Sequence, residues 1–192
     1  EAAAIFARLL AEKNGDTITT AATTKFADIP AHAWYSGYVK YLSNNGITYG
    51  KSRTVFAPND AITRAEFTTM DVRFFDVYGS GDAEIMEQFS GFNDVSSGYW
   101  AAEYIKYAAL HGWINGYGDG SFHAYREINR AEVVTIVNRL LGREADEDYI
   151  ADNLRKLNTF PDVTKRHWAY YAVMEAANAH TAVLGESESW SK

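Results

Sequence analysis

The chain contains no cysteine, no apolar run of eighteen residues and no stripe of basic side chains. Without cysteine there is neither a thiolate metal site nor a disulfide framework. Without a long apolar run, no segment is expected to insert into or span a membrane. No secretory leader is visible, and because residue 1 falls inside a repeated motif that absence carries no weight. A net charge of −7 without a basic stripe argues against nucleic acid, whose phosphates need local cations. It leaves room for an anionic ligand held by a few arginines. The histidines His32, His111, His123, His167 and His180 show no metal-ligand spacing, and no serine nucleophile motif is present. These absences read as a protein that is not an enzyme and needs no metal and no cofactor. A carboxylate pair of the glycosidase kind stays open on composition alone, but catalytic pairs need not recur with a fold, and the motifs below do recur.

What the chain has is repetition. Its 192 residues are 47% hydrophobic and 15% aromatic, enough for a sizeable core. The stretch Ala61 to Phe67, AITRAEF, returns sixty-six positions later as Glu127 to Val133, EINRAEV. Each reads as a helix start. Thr63 stands three residues before Glu66, and Asn129 three before Glu132, the spacing of a capping box. Ile62 with Phe67, and Ile128 with Val133, stand as hydrophobic staples. Capping does not require the arginine between cap and glutamate. Arg64 and Arg130 beside free helix N–H groups make a place for an anion; the plainer alternative pairs each with a carboxylate such as Asp60 or Glu127.

The opening EAAAIFARLL reads as the end of a further copy, with Glu1, Glu66 and Glu132 in one column. Ile5, Met70 and Ile136, then Leu9, Phe74 and Leu140, make a stripe that belongs in a core. Arg8, Arg73 and Arg139 read as solvated charges in the last helical turn, favourable with the helix dipole. A second motif, FADIPAHAW, recurs as FNDVSSGYW and FPDVTKRHW, each with eight positions from phenylalanine to tryptophan. Its aspartates, Asp28, Asp94 and Asp162, read first as turn or cap residues and second as ligand contacts. A helix is expected near each of Trp34, Trp100 and Trp168. These tryptophans fit core packing and stacking on sugar faces equally well. Gly46 and Gly112 stop two of those helices and open glycine loops, where tight turns and a short hairpin ending at Phe56 or Phe122 are expected. Lys51, Ser52, Asp119 and Ser121 offer hydrogen bonds from these loops. GYGDG lacks the alternating oxygen ligands of a calcium loop. The charged insert READEDYIADNLRKL is expected as a short solvated helix.

Together these motifs resemble the S-layer homology repeat. Phe92 to Leu141 carries nearly all of its pattern and Phe26 to Phe75 is close behind. The resemblance implies a mainly α fold of tandem repeats around a pseudo-threefold axis, with a central helical bundle and short loops or hairpins. It implies one domain over 1–192, in which 1–25 end a truncated first repeat, 26–91 and 92–159 are full repeats, and 160–192 are a partial, divergent one. It further implies non-covalent anchoring of a surface protein, outside the cell, to a pyruvylated secondary wall polysaccharide. The polymer would lie in grooves between repeats, with Arg64 and Arg130 facing the pyruvyl carboxylate. The partners are then that polysaccharide and the rest of the parent protein. A helical scaffold for protein partners is the alternative the same core pattern allows.

Overall fold

The computed structural model describes all residues except 79–88, 184–188 and 192. Among the described residues the chain is mainly helical: α1 (Ala2–Asn14), α2 (Ser36–Asn44), α3 (Arg64–Tyr78), α4 (Ala102–Leu110), α5 (Arg130–Leu140), α6 (Glu147–Asn153) and α7 (Tyr170–Ala177). One antiparallel ribbon, β1 (Thr181–Val183) with β2 (Ser189–Ser191), follows α7. The residues form two compact units, one of 1–111 with 115–127 and one of 112–114 with 128–192. This division does not follow the sequence repeats. It cuts the copy that starts at Phe92 between its glycine loop and its second helix.

In the first unit α3 packs on α1 and on α4, and α1 packs on α2. The centre is aromatic. Phe6 of α1 lies 5.4 Å from Phe67 and 4.9 Å from Phe74, and all three are fully buried. Each such phenylalanine contributes roughly 1.5–3 kcal/mol by leaving water. The stripe of α3 is buried as its spacing predicts, but α1 is turned by one residue: Phe6 and Leu10 are buried, and Leu9 is only half-buried. Gly15 ends α1 in the left-handed region, φ 69, where a glycine has no Cβ penalty.

The glycine loops are tight closures rather than the expected hairpins. Lys51 N and Ser52 N both donate to Val55 O, and Tyr117 N donates to Ser121 O at 2.8 Å. No ladder forms there among the described residues. A Cβ at Gly50 would sit 2.5 Å from the Phe26 ring, and one at Gly116 would overlap Phe92. The phenylalanine that opens each full copy therefore packs directly against that copy's loop glycine.

In the second unit α5 packs on α7, and Asn138 Nδ2 donates to Ala172 O at 2.9 Å. Ile150, Tyr170, Met174 and Trp190 form its core. The charged insert does form a helix, α6, capped by Asp146, which accepts from Tyr149 N at 2.8 Å. It is not wholly solvated, because Ile150 turns one face inward.

Candidate functional site

The first turn of α3 carries the capping box in full. Glu66 N donates to Thr63 Oγ1 at 3.2 Å and Thr63 N donates to Glu66 Oε2 at 3.0 Å. Glu66 also pairs with Lys51. Burial alone would raise the Glu66 carboxyl, but Lys51 and the Thr63 bonds outweigh it and hold its pKa below the ordinary value. The next two N–H groups are occupied too. Arg64 N donates to Arg126 O at 2.8 Å and Ala65 N to Ala124 O at 3.1 Å. The anion place that the sequence suggests at this helix start is thus filled by the loop of the following copy.

Arg64 itself is 5% exposed. Its Nε donates to Phe122 O at 2.9 Å and its Nη2 to Asn115 O at 3.1 Å. The guanidinium lies 4.6 Å from the Phe122 ring centre and 5.1 Å from that of Tyr117. It grips main chain at both ends of the glycine loop. Arg130 has the same place in sequence but not in exposure. At the start of α5 it faces solvent, while Asn129 and Glu132 complete their capping box with two bonds of 3.0 Å.

The aspartates Asp28 and Asp94 of the second motif work over long range, not as local turns. Asp28 accepts from Phe56 N at 3.0 Å and Ala57 N at 2.6 Å. Asp94 accepts from Phe122 N and His123 N, both at 2.7 Å. In each case desolvation raises the carboxyl and the two backbone N–H groups more than reverse it, leaving the pKa lowered. Both carboxylates hold a non-glycine residue in the left-handed region, Ala57 at φ 60 and His123 at φ 56.

Beside Asp94 opens a cavity of about 420 Å³ lined also by His123, Ala124, Tyr125 and Arg126. Arg126 Nη2 donates to Tyr117 OH at 2.5 Å, and the His123 ring lies 4.6 Å from that of Tyr117. Ser121 is buried, and its hydroxyl donates to Asp119 while meeting His123, so neither Asp119 nor Ser121 is simply a loop donor. Ser52 is exposed, and so is Lys51 despite its pairing with Glu66. His123, Tyr125 and Arg126 leave no trace in the recurrent columns, because the other full copy carries different chemistry there. Ala57, Asn59 and Asp60 stand at the matching positions.

The tryptophans lie at the surface. Trp34 and Trp100 are 56% exposed and Trp168 is 64% exposed. Each precedes its helix by two residues, so it stands ahead of the buried stripe rather than on it. Trp100 continues into Tyr99 at 5.6 Å, and Tyr99 into Tyr125 at 5.3 Å, with Tyr125 itself 76% exposed. An aromatic shelf therefore runs from Trp100 to the cavity. Trp34 has its own neighbours, Tyr35 at 5.5 Å and Tyr38 at 6.2 Å. Arg8 stacks on Tyr38 at 5.2 Å, and Arg73 on Tyr104 at 5.0 Å and Tyr49 at 4.6 Å. Arg8 and Arg73, expected in a last helical turn, lie inside α1 and α3 and are ring-stacked, not merely solvated charges.

The sequence profile of the S-layer homology domain matches residues 25–68 and 91–134. Over 98% of its length the chain is 31% identical to cell surface glycoprotein 1 of Acetivibrio thermocellus, spanning 8% of that protein. Over 97% of its length it is 30% identical to the cellulosome-anchoring protein of the same organism, spanning 40% of it. It is 32% identical over 73% of its length to the surface-layer 125 kDa protein of Lysinibacillus sphaericus, of which it covers 11%. The chain thus spans less than half of each of these relatives.

Proposed function

The chain carries S-layer homology repeats, and on that premise we propose that it anchors a larger surface protein to the bacterial cell wall by holding an anionic, pyruvylated wall polysaccharide. Its place is extracellular, at the cell wall, as for the relatives named for surface and anchoring roles. One observation carries the reading: Trp100, Tyr99 and Tyr125 form an exposed shelf that leads into a cavity lined by Arg126 and His123. Exposed aromatic rings beside a cation suit a sugar face beside an acid group, whereas a core would have buried them. The global charge of −7 repels such a polymer, so local cations must recruit it.

In this reading Trp34, Trp100 and Trp168 stack on sugar rings, and Arg126 and the exposed Arg130 meet carboxylates. Lys51 and Ser52 border the start of α3 and supply secondary contacts. Arg64 acts at one remove, by fixing the loop that carries Asp119, Ser121 and the cavity wall. The test is retention on purified cell walls before and after removal of pyruvyl groups, in rising salt. Retention of Trp100→Ala should fall at unchanged melting temperature. Equal retention on walls stripped of acid groups would mean that the polymer's charge is not what is recognised.

A further inference from the structure

The turn from phenylalanine to aspartate has the same backbone in all three copies. Ile29 N donates to Phe26 O at 3.3 Å, Val95 N to Phe92 O at 3.2 Å and Val163 N to Phe160 O at 3.1 Å. A second turn follows each time, closed by Ala33 N on Pro30 O, Tyr99 N on Ser96 O and His167 N on Thr164 O. In two copies the first turn has an occupant, and the two occupants are alike. Phe56 lies 5.4 Å from Phe26 and Phe122 lies 5.2 Å from Phe92, ring centre to ring centre. Asp28 accepts the successive N–H groups of Phe56 and Ala57, and Asp94 those of Phe122 and His123. The turn thus recognises a short signature: an aromatic ring, then a residue at positive φ, with two N–H groups offered to one carboxylate.

In the third copy the turn is built but open. Phe160 is 44% exposed, whereas Phe26 is 2% exposed. Among the described residues no ring stacks on Phe160 and no N–H group reaches Asp162. Trp190 holds the matching place in sequence, twenty-two positions after Trp168, as Phe56 follows Trp34 and Phe122 follows Trp100. It is seated elsewhere. Its N–H donates to Asp146 at 3.0 Å, and its ring is buried with Ile150, Tyr170 and Met174. Pro161 supplies one reason. At its position Ala27 N donates to Thr54 O and Asn93 N to Gly120 O, and proline has no N–H to give a loop. The third turn therefore keeps the ring and the carboxylate but loses the bond that holds a closed glycine loop. It also gains charge: Lys165 and Arg166 are exposed where the other copies have Ala31 with His32 and Ser97 with Gly98.

We propose that the turn from Phe160 to Asp162 docks an acidic segment of another polypeptide. That segment lays an aromatic ring on Phe160 and gives two successive N–H groups to Asp162, with Lys165 and Arg166 beside its acidic side chains. A second copy of this chain is not the occupant, because both of its glycine loops are seated on their own turns. The inference does not rest on wall anchoring, and Asp162 would repel the acid group of a polysaccharide.

The experiment titrates the full chain with a synthetic peptide of residues 116–125, GYGDGSFHAY, which is acidic and already fits such a turn within this molecule. Backbone amide signals from Phe160 to Trp168 should shift on binding. Asp162→Asn should weaken binding about tenfold, the equivalent of about one charge-assisted hydrogen bond. Phe160→Ala, or a peptide with alanine for its phenylalanine, should weaken it comparably. Both variants should keep the wild-type melting temperature, since both side chains are exposed. Peptide binding that neither variant weakens overturns the site, as does the absence of any shift at about 1 mM peptide, the weak end of specific affinity. Dimerisation of the wild type that Asp162→Asn abolishes would make the occupant a second copy and overturn the choice of partner. Displacement of the peptide by purified wall polysaccharide would give the turn to the sugar and overturn the docking. Retention on cell walls is measured beside it and should be equal for Asp162→Asn and the wild type, so failure of the docking leaves anchoring standing.

Discussion

Replacing Arg64 by alanine separates a residue that holds a loop from one that holds a ligand. The wild-type guanidinium donates to Phe122 O and Asn115 O and lies between two rings at 5% exposure. A hydrogen bond from a charged group contributes roughly 1.5–3 kcal/mol, and a buried carbonyl left alone costs roughly 1–3 kcal/mol. Two such bonds would total about 3–6 kcal/mol, but the loop can open and let water reach the carbonyls. A loss of about 3 kcal/mol is therefore expected, or about 6–12 °C in melting temperature for a chain of this size. Arg64→Lys should recover about half, since it keeps the charge and one donor but not the planar fork. The assays are thermal unfolding and amide exchange across Asn115 to Arg126, run beside retention on wall polysaccharide. All three should change together. Lost retention with an unchanged melting temperature and an unchanged exchange pattern would refute the loop-holding role, and would make Arg64 a direct ligand contact.

Three further outcomes follow from the same geometry. Asp28 and Asp94 have folded-state pKa values below their unfolded ones, so the stability they contribute is present above about pH 4 and lost as pH falls through the folded values. Acid unfolding of Asp94→Asn should accordingly be less steep than that of the wild type, and an unchanged slope counts against the carboxylate clamp. Thr63→Ala should cost about 1 kcal/mol. Combined with Glu66→Ala it should be non-additive in a double-mutant cycle, since each residue bonds the other's N–H; clean additivity would contradict the box. Phe74→Ala should cost roughly 3–5 kcal/mol by emptying the space against Phe6, and a loss below about 1 kcal/mol would mean that the aromatic centre is not the core.

Much of the fold was legible because it is written in short-range patterns. Helix starts at Thr63 and Asn129, and stops at Gly15, Gly46 and Gly112, depend on residues three or four apart. The site was less legible because it depends on contacts between copies. Nothing in the spacing around Arg64 says that a loop fifty residues on will fill the first turn of α3 and take the guanidinium. The tryptophans were ambiguous for a different reason. Whether Trp100 is buried depends on where α4 begins, and a shift of two residues moves it from the inner stripe to the surface. His123 and Arg126 lie outside the recurrent columns, so repetition gives no sign of them. The loop docking also explains why the compact units and the sequence repeats disagree: Asn115 to Glu127 belong in sequence to the copy that starts at Phe92 but lie with α3 in space.

The most direct measurement is the affinity of the intact chain for purified pyruvylated wall polysaccharide, by calorimetry, for the wild type and for Trp34→Ala and Trp100→Ala singly and together. Loss of a ring that stacks on a sugar face is expected to weaken binding, with melting temperatures unmoved because both side chains are more than half exposed. Wall anchoring through the aromatic shelves predicts a clear fall for each single variant and a larger one for the pair. Wild-type affinity in the double variant would contradict it.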